Sequence, residues 1–168
     1  VDDSLTVREV ERQLLEAHDM RAVAIHAPFG RSIDLASPHA GERAAGIQAA
    51  TLAAQAIATL GGTIVVAHPS DLERRDQHVP ERLAHAVSSL VVIANRVADL
   101  GLVLAVETPL PHLIGGHPDE FRWILSQLGP RARACLDTGH AALGDNWHRL
   151  LDAAGDRLVH IHASDNRG

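Results

Sequence analysis

A residue that can bind a metal ion stands at or next to the end of each of five predicted strands. Imidazole and carboxylate ligands together suit Zn²⁺, Mn²⁺, Co²⁺ or Fe²⁺, and Mg²⁺ accepts the oxygens more readily than the imidazoles. Each residue taken alone has an ordinary explanation, because a histidine beside proline can end a strand and an aspartate can cap a turn. Five such residues at five strand ends predict one shared metal site. They are His26, His68, Glu107, Asp137 and His162.

The elements that must position these residues alternate between strand and helix. Each predicted strand is a mostly apolar run, and glycine or proline stands at most helix boundaries. Continuous apolar strands suit a parallel sheet that is covered on both faces. The predicted strands are 22–26, 63–67, 102–106, 132–136 and 158–162, and the predicted helices are 5–17, 41–60, 80–100, 118–128 and 146–154.

Two architectures fit this alternation, an open doubly wound sheet and a (β/α)₈ barrel. A dinucleotide-binding sheet would carry G-x-G-x-x-G after a strand, and no predicted strand is followed by that pattern. A barrel brings the C-terminal ends of all its strands to one rim, where the metal-binding residues stand. We therefore predict that residues 1–168 form a single domain, a partial (β/α)₈ TIM barrel with five parallel strands.

The composition removes several kinds of chemistry. The 168 residues include 12 histidines, and all 15 basic residues are arginine. Without lysine or tyrosine, the chain offers no Schiff-base amine and no phenolic proton donor. Cys135 is the single cysteine, so neither an internal disulfide nor a cysteine-based zinc cluster can form. The net charge of −6 argues against a nucleic-acid partner, and the lack of a long apolar run or signal pattern predicts a cytoplasmic protein without a membrane segment.

The motifs HAPF, VVAHP, VLAVETP, CLDTGHA and HIHASDN occur in this order between about residue 23 and residue 168. Together they resemble the xylose-isomerase-like barrel superfamily. Its members include sugar-phosphate isomerases and epimerases, hydroxypyruvate isomerases, inosose dehydratases, and abasic-site nucleases of the endonuclease IV type. The resemblance implies that the five strands correspond to the second to sixth of a barrel. The last strand, with its further glutamate ligand, is then not present, so we expect the segment alone to be inactive, and either poorly soluble or associated through its open edges.

The resemblance also implies roles for individual residues. Glu107, Asp137 and His162 match three ligands of the shared divalent metal. His140 matches the histidine of the D-x-G-H motif, which contacts substrate in the isomerases and epimerases and binds a further zinc ion in the nuclease. The side chain of His160 shares a strand face with His162, and we expect it to support that ligand through a hydrogen bond. Asp165 is expected beside the site in a similar supporting role. His26 and His68 match two histidines that hold an additional zinc ion in the nuclease.

The function that the resemblance implies is a metal-dependent isomerase or epimerase for a sugar or sugar phosphate, with Mn, Zn, Co or Mg as the metal. Glu107 would both bind the metal and exchange a proton, through a metal-stabilised enediolate, while His140 would orient a substrate oxygen. An endonuclease IV-like zinc phosphodiesterase and a non-catalytic sugar- or metal-binding barrel stay open as alternatives. One metal ion per chain would favour the isomerase, and two or three would favour the nuclease. Homo-oligomerisation is compatible with any of these functions.

Overall fold

The structure, a computed structural model, describes residues 3–74 and 78–164 of the chain, with side chains in the first helix described from residue 7 onward. Five strands alternate with helices along this part of the chain. The strands are β1 Ala24–His26, β2 Ile64–Ala67, β3 Val103–Glu107, β4 Ala132–Asp137 and β5 Leu158–His162. The helices are α1 Asp3–Ala17, α2 Ala40–Thr59, α3 Val79–Asp99, α4 Pro118–Leu128, α5 Thr138–Leu143 and α6 Trp147–Ala154.

Local sequence explains where the long helices begin and end. Helix α2 is rich in alanine, the residue with the highest helix propensity. Proline occupies the first turn of α3 and of α4, where its missing N–H costs no helical hydrogen bond. Gly101 follows α3 with a φ of 72°, and Gly129 follows α4 with a φ of 58°. Because few other residues adopt these angles without strain, glycine ends both helices at defined positions.

The five strands form one parallel sheet in the order β1-β2-β3-β4-β5. A doubly wound sheet reverses its strand order at a switch point, whereas a barrel adds each strand beside the previous one. The sequential order, together with the curl of the sheet, makes this part of the chain a partial TIM barrel. The register pairs Glu107 with Cys135 and Asp137 with His162, so neighbouring strands end at nearly the same level.

The two faces of the sheet are packed differently. The outer face packs against the helices in a large core whose biggest fully buried side chains include Phe121, Leu90, Ile93 and Leu104. The inner face carries a separate small cluster of Val66, Ala105 and Cys135, and all three are completely buried. Because side chains alternate along a strand, these residues lie on the same face as Glu107 and Asp137, one step below the strand ends. The inner cluster is thus the floor beneath the candidate site.

The predicted fold is confirmed, and the observed strands lie within two residues of the predicted ones. One prediction was wrong: α5 inserts an additional helix between β4 and β5, where we expected only α6. Its sequence, TGHAAL, contains Gly139, which lowers helix propensity and hid the helix. The Asp137 side chain compensates by accepting a hydrogen bond from the His140 N–H and so capping the helix. Among the described residues, no helix has the length and apolar character to cross a membrane.

Candidate metal centre

The five residues that the sequence singled out stand together at one edge of the sheet. His26, Glu107, Asp137 and His162 are the last residues of β1, β3, β4 and β5, and His68 directly follows β2. The C-terminal ends of neighbouring parallel strands meet at the same edge, so residues far apart in sequence become neighbours. Every one of the five lies within 4.0 Å of another member of the set. The convergence expected from the sequence is therefore present.

Glu107 lies at the middle of the cluster, with only 2% of its surface exposed. Its Oε2 atom lies 2.7 Å from Nε2 of His26 and 3.3 Å from Nε2 of His68. Its Oε1 atom lies 2.9 Å from Nδ1 of His162. Imidazoles from three strands thus face the two oxygens of one buried carboxylate. Among the described residues, three sets of donor atoms lie close enough together to share an ion: His26–His68–Glu107, Glu107–Cys135–His162 and Glu107–Asp137–His140.

In three of the histidines, the Nδ1 atom is held by a hydrogen bond to an oxygen atom. Nδ1 of His26 lies 2.7 Å from the carbonyl oxygen of Ala27, and Nδ1 of His140 lies 2.9 Å from that of Thr108. Nδ1 of His68 lies 3.0 Å from Oδ1 of Asp71. An oxygen acceptor keeps a proton on Nδ1 and leaves Nε2 to bind a metal, which is the usual arrangement around protein metal ions. The donor set therefore fits a divalent ion that accepts both nitrogen and oxygen.

Asp137 connects the site to helix α5. Its Oδ1 atom accepts hydrogen bonds from the backbone N–H of His140 at 2.8 Å and from the hydroxyl of Ser164 at 3.0 Å. Its Oδ2 atom lies 4.0 Å from Nδ1 of His162. The backbone N–H of Asp137 donates to the Thr108 hydroxyl at 3.0 Å. One oxygen of Asp137 is thus used structurally, and the other faces the cluster.

Glu107 and His68 each shift the pKa of the other towards the charged form. Burial alone would raise the pKa of Glu107, but hydrogen bonds from His26 and His68 outweigh it and hold that pKa well below its usual range. Burial opposes protonation of His68, but its hydrogen bonds to Asp71 and Glu107 prevail and raise its pKa to about 9. Burial, and secondarily the charge of Glu107, raises the pKa of Cys135 to about 12. Glu107 is therefore ionised and Cys135 is a neutral thiol near pH 7.

His160 occupies the expected position, one step below His162 on the same strand face. Its ring meets that of His162 edge-on, with the centroids 5.2 Å apart. The two rings pack against each other and form no hydrogen bond, in contrast to the hydrogen-bonded support that we expected. Burial and the nearby His162 lower the pKa of His160. Asp165, the other expected supporting residue, lies outside the described residues.

Sequence reasoning missed two residues at the site. Asp71 holds His68, and the weak signal for it was its place three residues after His68 in the loop that follows β2. Phe29 is 59% exposed, yet its ring centroid lies 4.7 Å from that of His68 and 5.1 Å from that of His26. The motif HAPF contained Phe29, but nothing in the sequence showed that its ring would turn towards the histidines. Phe29 forms an apolar wall on one side of the cluster.

The sequence of residues 2–168 matches that of the xylose isomerase-like TIM barrel family over this whole range. The chain belongs to this family. The resemblance seen in the motifs is thereby confirmed. Among curated protein sequences, none matches the chain at a significant level.

Solved structures share the fold at low sequence identity. D-allulose 3-epimerase from Methylomonas sp. is 25% identical with a TM-score of 0.80, over 96% of this chain and 57% of the enzyme; that enzyme has also been crystallised with D-allulose. A D-tagatose 3-epimerase-like protein is 22% identical with a TM-score of 0.84, over 95% of this chain and 61% of that protein. A Thermus thermophilus protein soaked with ZnCl₂ is 23% identical with a TM-score of 0.76, over 99% of this chain and 66% of that protein. The chain thus spans about three fifths of the two epimerase-type structures.

Proposed function

We propose that this protein is a divalent-metal-dependent isomerase or epimerase that moves a proton at a carbon next to a carbonyl group in a sugar or sugar phosphate. The observation that carries the proposal is the convergence of His26, His68 and His162 on the buried, ionised carboxylate of Glu107. An ionised carboxylate among imidazoles is suited both to hold a metal and to accept a proton. Membership of the xylose isomerase-like family and the epimerases among the structural neighbours support the same function.

Glu107, Asp137 and His162 would hold the metal, together with His26 and His68. A divalent ion bound there supplies Lewis acidity, which makes a carbon–hydrogen bond beside a carbonyl easier to break. The nitrogen-rich donor set favours Mn²⁺, Zn²⁺ or Co²⁺ over Mg²⁺. The neighbour soaked with ZnCl₂ is compatible with this choice.

Proton transfer and substrate binding are assigned to side chains of this chain. Glu107 is the candidate for moving the proton, because the chain contains no lysine or tyrosine that could replace it. His140 donates from Nδ1 to the carbonyl of Thr108, so its Nε2 atom can bind and orient a substrate hydroxyl. Phe29 offers an apolar surface against which the C–H face of a sugar can pack. Ketohexoses are the first substrates to test, because the Methylomonas enzyme binds D-allulose.

Hydrogen exchange tests the proposal even before the product is identified. The full-length protein is loaded with Mn²⁺, Co²⁺ or Zn²⁺ and incubated in D₂O with a panel of ketohexoses and their phosphates. Proton NMR then follows the loss of the C–H signal next to the carbonyl. We expect metal-dependent exchange for at least one sugar, which a chelator abolishes. A protein that binds the metal but catalyses no exchange in the whole panel would contradict the proposal and favour a non-catalytic binding barrel.

A zinc phosphodiesterase of the endonuclease IV type is the second candidate. It is favoured by one observation, that His26 and His68 both face the same Glu107 oxygen and have ring centroids 4.9 Å apart. That arrangement could hold a further zinc ion. The net charge of −6 and the lack of lysine weaken it, since DNA binding relies on cationic contacts. Metal analysis separates the two functions: one ion per chain supports the isomerase, whereas two or three, together with cleavage of abasic DNA, support the nuclease.

A further inference from the structure

A buried carboxylate lies close to the candidate metal centre but makes no contact with Glu107. Asp34 follows the short 3₁₀ turn Arg31–Ile33 and is 2% exposed. Its Oδ1 atom accepts a hydrogen bond from the Ala36 N–H at 2.7 Å. Its Oδ2 atom accepts one from the Asp71 N–H at 2.5 Å, and the Ser70 hydroxyl lies 3.1 Å from both oxygens. All these donors are uncharged, so the carboxylate is buried without a charged partner, which is costly.

The contacts of Asp34 join two loops that are distant in sequence. The bond to Ala36 closes a local turn, which an aspartate commonly does. Ser70 and Asp71, however, belong to the loop after β2, and lie 36 and 37 positions further along the chain. Ser70 is 2% exposed, and its hydroxyl also accepts a hydrogen bond from the Leu72 N–H at 3.0 Å. Asp34 therefore fixes the backbone of the loop at the residues that directly follow His68 and Pro69.

The fixed loop presents the Asp71 side chain to His68. Oδ1 of Asp71 lies 3.0 Å from Nδ1 of His68, while Nε2 of the same ring faces Oε2 of Glu107 at 3.3 Å. In His26 and His140 the corresponding Nδ1 atoms are held by backbone carbonyls. His68 is thus the one of these three rings whose orientation depends on a carboxylate. A carboxylate partner also makes an imidazole a stronger metal ligand than a carbonyl partner does.

We propose that Asp71 and Asp34 are positioning residues for the metal ligand His68. Asp71 holds the proton on Nδ1 of His68 and turns Nε2 of that ring towards Glu107. Asp34 holds Asp71 in place by accepting hydrogen bonds from the Asp71 backbone N–H and from the Ser70 hydroxyl. Neither residue touches the metal or the substrate. The inference rests on the proposed function in one respect, namely that His68 binds the metal ion.

The test combines zinc affinity with a direct signal from the His68 ring. Nitrogen-correlated proton NMR of the metal-free protein should show a ring N–H bonded to Nδ1 that is protected from exchange with water, and the His68→Gln variant assigns it. Asp71→Ala should remove this protected signal and weaken zinc binding, measured by competition with a chelator, by about 10- to 100-fold. Asp71→Asn keeps an oxygen acceptor and should retain part of the protected signal and part of the zinc affinity. Asp99→Asn, an exposed aspartate at the end of α3, is the matched control.

Asp34→Asn replaces one acceptor oxygen by an N–H₂ group and should weaken zinc binding less than Asp71→Ala does. If it fails to fold, the Asp71 variants still decide, because the Asp71 side chain is 17% exposed and supports fewer contacts. Zinc affinity within about twofold of wild type in Asp71→Ala would overturn the proposal, and so would an unchanged His68 ring signal. The ring signal is read without metal. A wild-type protein that binds no zinc would therefore defeat the proposed function, while the ring signal would still judge the link between Asp71 and His68.

Discussion

Replacing Gly46 by alanine tests the contact between helix α2 and the segment that carries Asp34. A Cβ atom on Gly46 would lie 2.1 Å from the carbonyl oxygen of Ile33 and 2.9 Å from Cδ2 of Leu35. The first of these atoms belongs to the backbone, so no side-chain rotation can relieve the overlap. Helix α2 and the turn before Asp34 approach closely because residue 46 has no side chain.

Gly41 supplies a matched control in the same helix. A Cβ atom there would meet no atom within 4 Å. Alanine is favoured over glycine by up to about 1 kcal/mol in a helix, and by less in the first turn, so Gly41→Ala should stabilise the protein slightly. Overpacking costs about 1–3 kcal/mol, and an overlap at 2.1 Å with a backbone oxygen belongs at the upper end, about 2–3 kcal/mol, which exceeds the helix gain of up to about 1 kcal/mol at Gly46. We expect Gly46→Ala to lower the free energy of unfolding by about 1–2 kcal/mol, and Tm by about 2–8 °C.

Thermal and urea unfolding of the two variants, followed by circular dichroism, measure these changes. The two substitutions add the same methyl group to the same helix, so opposite signs isolate the close contact from helix propensity. Gly46→Ala should also weaken zinc binding, because the displaced segment carries Asp34. The reasoning is refuted if Gly46→Ala is as stable as wild type, or if Gly41→Ala is the more damaging change.

Further predictions concern the site itself. In the full-length protein, Glu107→Gln should slow deuterium exchange into the sugar by at least ~10²-fold while the fold is retained, whereas the exposed control Glu16→Gln should exchange normally. Phe29→Ala should raise KM more than it lowers kcat, and Phe29→Leu should restore part of the affinity; unchanged KM would remove Phe29 from substrate binding. In the metal-free protein, the His68 contribution to stability is full below its unfolded pKa of about 6.5 and is lost as pH rises through about 9. Wild type should therefore lose up to about 3 kcal/mol more than His68→Gln between pH 6 and pH 10, and equal losses in urea titrations would contradict this. Adding Zn²⁺ should raise the Tm of wild type in proportion to the logarithm of its concentration, and a chelator should reverse the increase.

The sequence predicted the strand ends well because each strand is a mostly apolar run that ends at, or directly before, a polar residue. β3 ends at Glu107 and β5 ends at His162. At both positions the local composition and the overall fold indicate the same strand end. The parallel arrangement then places these ends together without any further information. The location of the candidate ligands was therefore predictable from the sequence.

What the sequence did not show depends on contacts between distant segments. The hydrogen bonds from Ser70 and Asp71 to Asp34 join two loops that are distant in sequence, and no local sequence pattern predicts them. Helix α5 was missed because Gly139 lowers the helix propensity of its short sequence, and because its formation relies on the Asp137 cap, where we expected only a turn. His160 was placed correctly, but a hydrogen bond was expected where the rings only pack.

The buried thiol on β4 can be used to measure how often the sheet opens. Cys135 is the single cysteine and is completely buried, with Glu107 and His160 as its register partners on either side. In the closed sheet, burial raises the pKa of this thiol to about 12, so aromatic disulfide reagents react with it only when the central strands separate and the burial is lost. The labelling rate under native conditions therefore measures how often the sheet opens, without an introduced probe. Any ion or sugar that binds across the strand ends should slow labelling by the factor by which it stabilises the closed sheet.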